Sequence, residues 1–151
     1  MRNLSDVRPV EILLVDDSPS DTALTREALE KGKIANNLNC VGDGVEALEY
    51  LRQQGRYSKA IRPDLIMLDL NMPRKDGREA LKELKSDPSL KTIPVIVLTT
   101  SRAEQDILQS YQLNANCYIT KPVDFKKFVE IIKSIEQFWL AVVSLPPTLQ
   151  P

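Results

Sequence analysis

The run Leu65-Ile-Met-Leu68 ends abruptly in one carboxylate, Asp69, and is bracketed by Pro63 upstream and Pro73-Arg-Lys-Asp-Gly77 downstream. Four consecutive apolar residues between turn formers present no polar face to water, so they read as a strand buried on both sides. Such a strand belongs inside a parallel sheet covered by helices on both faces. Three other segments repeat the pattern: Ile12-Leu-Leu-Val15 runs into Asp16-Asp17, Val95-Ile-Val-Leu98 ends in Thr99, and Cys117-Tyr-Ile-Thr120 precedes Lys121-Pro122. These four strands bring three acids, a hydroxyl and a cation to one edge. In open α/β sheets that carboxyl edge is where ligands bind.

The segments between the strands have helical periodicity. Ser18 suits an N-cap, with Pro19 at the first helical position and Asp21 in the first turn. That helix carries Ala23, Leu24, Ala28 and Leu29 on one side and should end near Lys31-Gly32. A short strand over 38–41 and the turn Asp43-Gly44 lead to a helix over 45–54, with Val45, Leu48 and Leu51 along one face and Gly55 ending it. Residues 56–63 read as a surface loop. A helix over 77–86 uses Ala80, Leu81 and Leu84, one over 103–113 presents Ile107, Leu108 and Tyr111, and a last one runs over 125–142 with Asp124 as N-cap. Five βα alternations favour a parallel sheet with right-handed crossovers. Residues 1–10 read as an N-terminal extension, 11–142 as one domain, and 143–151 as a short proline-rich tail.

Composition removes several kinds of chemistry. The chain has no histidine, which excludes Ser/His/Asp and Cys/His nucleophilic schemes and most zinc sites, so any bound metal must be satisfied by oxygen. Twenty basic against 21 acidic residues, a net charge of −1, offer no electrostatic basis for binding nucleic acid or anionic lipid. No apolar run approaches the roughly 20 residues that span a bilayer, and the first residues lack a signal-peptide pattern, so the cytoplasm is the expected compartment. Cys40 and Cys117 lack CxxC spacing and are expected to be buried free thiols.

Three carboxylates crowded at one edge would repel one another unless a cation lay among them. With oxygen donors only and an accessible rim, Mg²⁺ is the natural occupant, because it keeps several waters and needs few protein ligands. A phosphate donor could then approach Asp69, whose carboxylate would act as nucleophile, while Lys121 and the Thr99 hydroxyl meet the transferred phosphoryl oxygens. Singly, these residues read as turn formers and caps. The case rests on all five standing at strand ends in that order.

These residues carry a resemblance. From about Glu11 to Trp139 the chain resembles the receiver domain of two-component response regulators, through Asp16-Asp17, Asp69 in LDLNMPRKDG, Thr99 in VIVLTTS and Lys121-Pro122 in YITKP. Within that family it is most similar to the single-domain regulators that accompany cyanobacterial phytochromes, through RPDLIMLDLNMPRKDGREAL, DPSLKTIPVIVLTTS, NCYITKP and the ending IEQFWL. The resemblance implies a flavodoxin-like, doubly wound five-stranded parallel sheet of order 2-1-3-4-5 with five helices, while the short proline-rich tail is expected to be no output domain. It implies Asp69 as acceptor of a phosphoryl group from a sensor histidine kinase, here a phytochrome-type kinase. It also implies Mg²⁺ held by Asp16, Asp17, Asp69 and the carbonyl of Asn71, phosphoryl binding by Thr99 and Lys121, and Thr99 with Tyr118 as a switch pair. The implied strand order puts Cys40 and Cys117 on opposite sheet edges.

Asn71, Thr100 and Ser101 flank the site and tune hydrolysis in this family. Thr100 stands where a smaller residue is more usual, and none of the three brings a carboxylate to orient water, so a long-lived phosphoryl state is expected. In the last helix, Ile131 and Phe138 add a second apolar stripe, and a homodimer interface is the expected use. Two other functions compete. A degenerate receiver would only bind protein, whereas a haloacid-dehalogenase-type hydrolase would need a second Asp where this chain has Asn71.

Overall fold

The computed structural model describes residues 9–31, 36–70, 77–99 and 117–120, together with Lys126 and Glu130. Five strands, β1 (Val10–Val15), β2 (Asn36–Val41), β3 (Leu65–Asp69), β4 (Val95–Thr99) and β5 (Cys117–Thr120), form one sheet of order β2-β1-β3-β4-β5. Every neighbouring pair is parallel. The expected doubly wound, flavodoxin-like order is therefore observed.

Helices α1 (Pro19–Lys31), α2 (Gly44–Leu51) and α3 (Gly77–Ser86) are described. Because side chains alternate along a strand, the sheet has two apolar faces. Leu13, Val15, Ile66, Leu68, Val95 and Val97 pack with Ala47, Leu48 and Tyr50 of α2 and Ala80, Leu81 and Leu84 of α3. Ile12, Leu14, Leu65, Met67, Ile96 and Leu98 pack on the other face with Leu29 of α1. That explains the continuous apolar runs of β1, β3 and β4: both faces are covered. The helices expected over 103–113 and 125–142 lie outside the described residues, except that Lys126 and Glu130 are helical and exposed.

Three expectations need correction. On α1 the buried positions are Thr25, Ala28 and Leu29, whereas Ala23 and Leu24 face solvent. Both stripes have helical spacing, and the sheet selects the one containing the β-branched threonine. On α2 the buried residues are Gly44, Ala47, Leu48 and Tyr50, with Val45 and Leu51 only half-buried. This helix ends at Leu51 rather than at Gly55. Gln53 takes the left-handed conformation (φ 54°), and Gln54 N–H bonds to the Glu49 carbonyl at 2.9 Å, the closing bond of a Schellman-type stop. Finally, Cys40 is a free thiol but exposed, because β2 is a sheet edge. Three strands separate it from β5, about 19 Å at the usual strand spacing, so the backbone excludes a disulfide with Cys117.

The segment after α2 is also more ordered than a surface loop. A 3-10 turn, Gly55–Tyr57, lays Tyr57 against Tyr50 with ring centroids 5.2 Å apart. Glu46 gathers the pieces: its carboxylate accepts from Gly42 N–H at 2.7 Å and from the Tyr57 hydroxyl at 2.8 Å, and pairs with Arg56. These contacts, the Gly42 bond foremost, hold the Glu46 pKa below its usual value of 4.5. A lowered native pKa stabilises the fold above the unfolded-chain value, and that contribution fades as pH falls through the native one. Stability measured by urea unfolding should therefore fall less steeply below about pH 4.5 in Glu46→Gln than in the wild type.

Candidate functional site

Register brings the acids together. Val15 of β1 pairs with Leu68 of β3, so the residues that follow, Asp16 and Asp69, are level at the carboxyl ends of adjacent strands. The backbone of Asp16 is pinned from the other side, its N–H donating to the Val41 carbonyl at 3.0 Å. Its side chain turns the chain into α1: Asp16 Oδ1 accepts from Ser18 N–H at 2.9 Å. Ser18 Oγ accepts from Asp21 N–H at 3.3 Å, as expected for the helix cap.

Carboxylate oxygens of Asp16, Asp17 and Asp69 all lie within 4.8 Å of one another. Asp16 and Asp69 are buried, only 5% and 3% exposed, while Asp17 is open to solvent. Two nearly buried carboxylates side by side favour a cation between them, and an all-oxygen donor set with one accessible side suits a hard divalent ion. It suits soft transition metals poorly. Asp69 continues the face of Leu65 and Met67, so one strand both anchors it in the core and delivers its carboxylate to the rim.

The other expected site residues are described unevenly. Thr99 ends β4, one residue beyond Leu98, which pairs with Asp69, and it stands level with Thr120 of β5. Tyr118 occupies the second position of β5, paired with Val97. The side chains of Thr99 and Tyr118 lie outside the description, as do Asn71, Thr100, Ser101, Lys121, Ile131 and Phe138. The structure thus joins the acidic triad and the backbone of one hydroxyl position.

One residue at the site had escaped notice. Gly77, read only as a helix start, abuts the backbone at the end of β3: a methyl group there would lie 2.6 Å from Leu70 Cα and 3.0 Å from the Asp69 carbonyl carbon. An Asp-Gly pair after a strand gives no warning of such an approach, because a turn glycine looks the same in the sequence.

The family model for the response regulator receiver domain matches residues 12–133. The chain belongs to the response regulator receiver family. Response regulator Rcp1 of Synechocystis sp. is 49% identical over 138 residues, which cover 91% of this chain and 94% of that protein. The crystal structure of the phosphorylated cyanobacterial phytochrome response regulator RcpA shares 52% identity at a TM-score of 0.73, covering 91% of this receiver and 99% of that chain. The Mn²⁺-bound form of Rcp1 shares 49% at a TM-score of 0.71, with the same coverage. This receiver is thus a signalling module related to phytochrome response regulators. Among the described residues, no helix is long and apolar enough to cross a membrane.

Proposed function

We propose that this receiver takes a phosphoryl group on Asp69 from a phosphohistidine of a sensor kinase and passes the signal on through its protein-binding surface. The observation that carries the reading is the acidic triad: three carboxylates gathered at the ends of β1 and β3, with ligand atoms within 4.8 Å. Asp16, Asp17 and Asp69, with the Asn71 carbonyl, would hold Mg²⁺, which when bound neutralises charge on the incoming phosphoryl oxygens. A carboxylate oxygen of Asp69 attacks phosphorus, the new O–P bond forms as the P–N bond breaks, and imidazole leaves. Lys121 and Thr99 receive the oxygens of the transferred group. Thr99 and Tyr118 then rearrange, as the added charge of roughly −1.5 to −2 alters the rim.

The relatives' association with phytochromes supports a phytochrome-type histidine kinase as the partner. The absence of a carboxylate at Asn71, Thr100 and Ser101 supports a slowly hydrolysed phosphoryl state, and the Ile131 and Phe138 stripe supports a homodimer. We place the protein in the cytoplasm. It acts as a signalling protein whose catalysis is confined to its own phosphorylation and dephosphorylation.

Intact mass after incubation with acetyl phosphate and Mg²⁺ tests the central step. The wild type should gain one phosphate, about 80 Da, and Asp69→Asn none. An unchanged wild-type mass, or an adduct that persists in Asp69→Asn, would overturn it.

A further inference from the structure

We propose that Gly77 is a positioning residue for the phosphoacceptor: its missing side chain lets the first turn of α3 bear directly on the Asp69–Leu70 backbone and hold it in place. The inference rests on the receiver reading and deepens it. Gly77 is buried, and its N–H donates to the Leu70 carbonyl at 3.0 Å. A Cβ would meet the Asp69 carbonyl oxygen and Leu70 Cα, backbone atoms that no rotamer change can move aside. Conformation is not the requirement here, since among the described residues Gly55 is the glycine with positive φ. The requirement is space.

The helix cannot easily retreat to supply that space. Ala80, Leu81 and Leu84 are 0 to 1% exposed against the sheet, and Leu70 itself is fully buried. Protein interiors are packed at crystal-like density, so residues buried to this extent resist small displacements. A side chain at position 77 would therefore press directly on the Asp69–Leu70 backbone that it abuts. The carboxylate would shift relative to Asp16, which is fixed independently by Val41 and Ser18. Position, not protonation or charge, is what the glycine controls.

The test compares Gly77→Ala with Leu84→Ala, a destabilising change on the same helix that does not touch Asp69, at a temperature where both are folded. Mg²⁺ affinity and the initial rate of phosphoryl uptake from acetyl phosphate are measured on the full chain. Gly77→Ala should lose about 10- to 100-fold in uptake rate and bind Mg²⁺ more weakly, since displacements near 1 Å have effects of that size. Leu84→Ala should retain wild-type values. Equal behaviour of the two variants would overturn the proposal.

If Gly77→Ala does not fold, amide exchange in the wild type decides. Because Gly77 N–H is bonded to the Leu70 carbonyl, its protection should rise as Mg²⁺ occupies the site, and unchanged protection would overturn the proposal. A wild type that binds Mg²⁺ but takes up no phosphoryl group would count against the proposed function alone. The Mg²⁺ arm would still decide on Gly77.

Discussion

Alanine in place of Asp16 is expected to weaken divalent-metal binding by on the order of 100-fold, since even outer-shell changes at metal sites commonly reach 10- to 100-fold. Of the two carboxylates that follow β1, Asp16 is buried and Asp17 exposed, and Asp16 stands level with Asp69. In the wild type, Mg²⁺ at 100 times its dissociation constant should add about 2.7 kcal/mol to the unfolding free energy, because the ion binds only the folded triad. For a chain of this length that is roughly 5–11 °C in melting temperature. Asp16→Ala should show almost none of it.

A complication is that Asp16 also accepts from Ser18 N–H, so the alanine variant loses a turn contact worth about 1 kcal/mol even without metal. Asp16→Asn separates the two roles. The amide keeps an acceptor oxygen for Ser18 and removes the charge. Relieved of repulsion from Asp17 and Asp69, it should melt at or above the wild type in chelator yet gain little from Mg²⁺. An asparagine variant that responds to Mg²⁺ as the wild type does would show that the triad is not the metal site.

Leu29→Ala should lower the unfolding free energy by about 2–5 kcal/mol, while Leu24→Ala, five residues earlier on the same helix, should stay within about 0.5 kcal/mol of the wild type. Leu29 is 1% exposed among Ile12, Leu14 and Met67, whereas Leu24 is 47% exposed. Truncating the first leaves a cavity lined by rigid strands; truncating the second leaves water. Chemical denaturation of the two variants measures the contrast directly. A similar loss at both positions would mean that α1 is rotated about its axis from the orientation described.

That pair also marks where reading the sequence stops. Leu24 and Leu29 are the same residue type in one short helix, and Ala23, Leu24, Ala28 and Leu29 share helical spacing. Amphipathic spacing on α1 tolerates two neighbouring stripes, and only the sheet's contact chooses between them. On α3 the same kind of reading succeeded, because Ala80, Leu81 and Leu84 are flanked by charged residues that leave a single apolar stripe. The α2 stop failed for a local reason. Gln53, a residue with no special preference for positive φ, takes the place usually held by glycine, steadied by a 2.7 Å bond from its side-chain amide to the Ala60 carbonyl.

The sequence by itself determined the class of fold and the chemistry of the site. Apolar runs that lack a polar face must be buried on both sides, and each one's first polar residue must emerge at the sheet's end, so the identity of the acids was legible without coordinates. The tertiary structure alone decided which acids stand level. Whether Asp16 and Asp69 share a metal ion depends on Val15 pairing with Leu68, and a one-residue slip would turn one carboxylate to the other face. It also decided that Gly77 touches Asp69. That contact joins residues whose closeness depends on how α3 packs, and a glycine, having no side chain, carries no sign of what its absence accommodates.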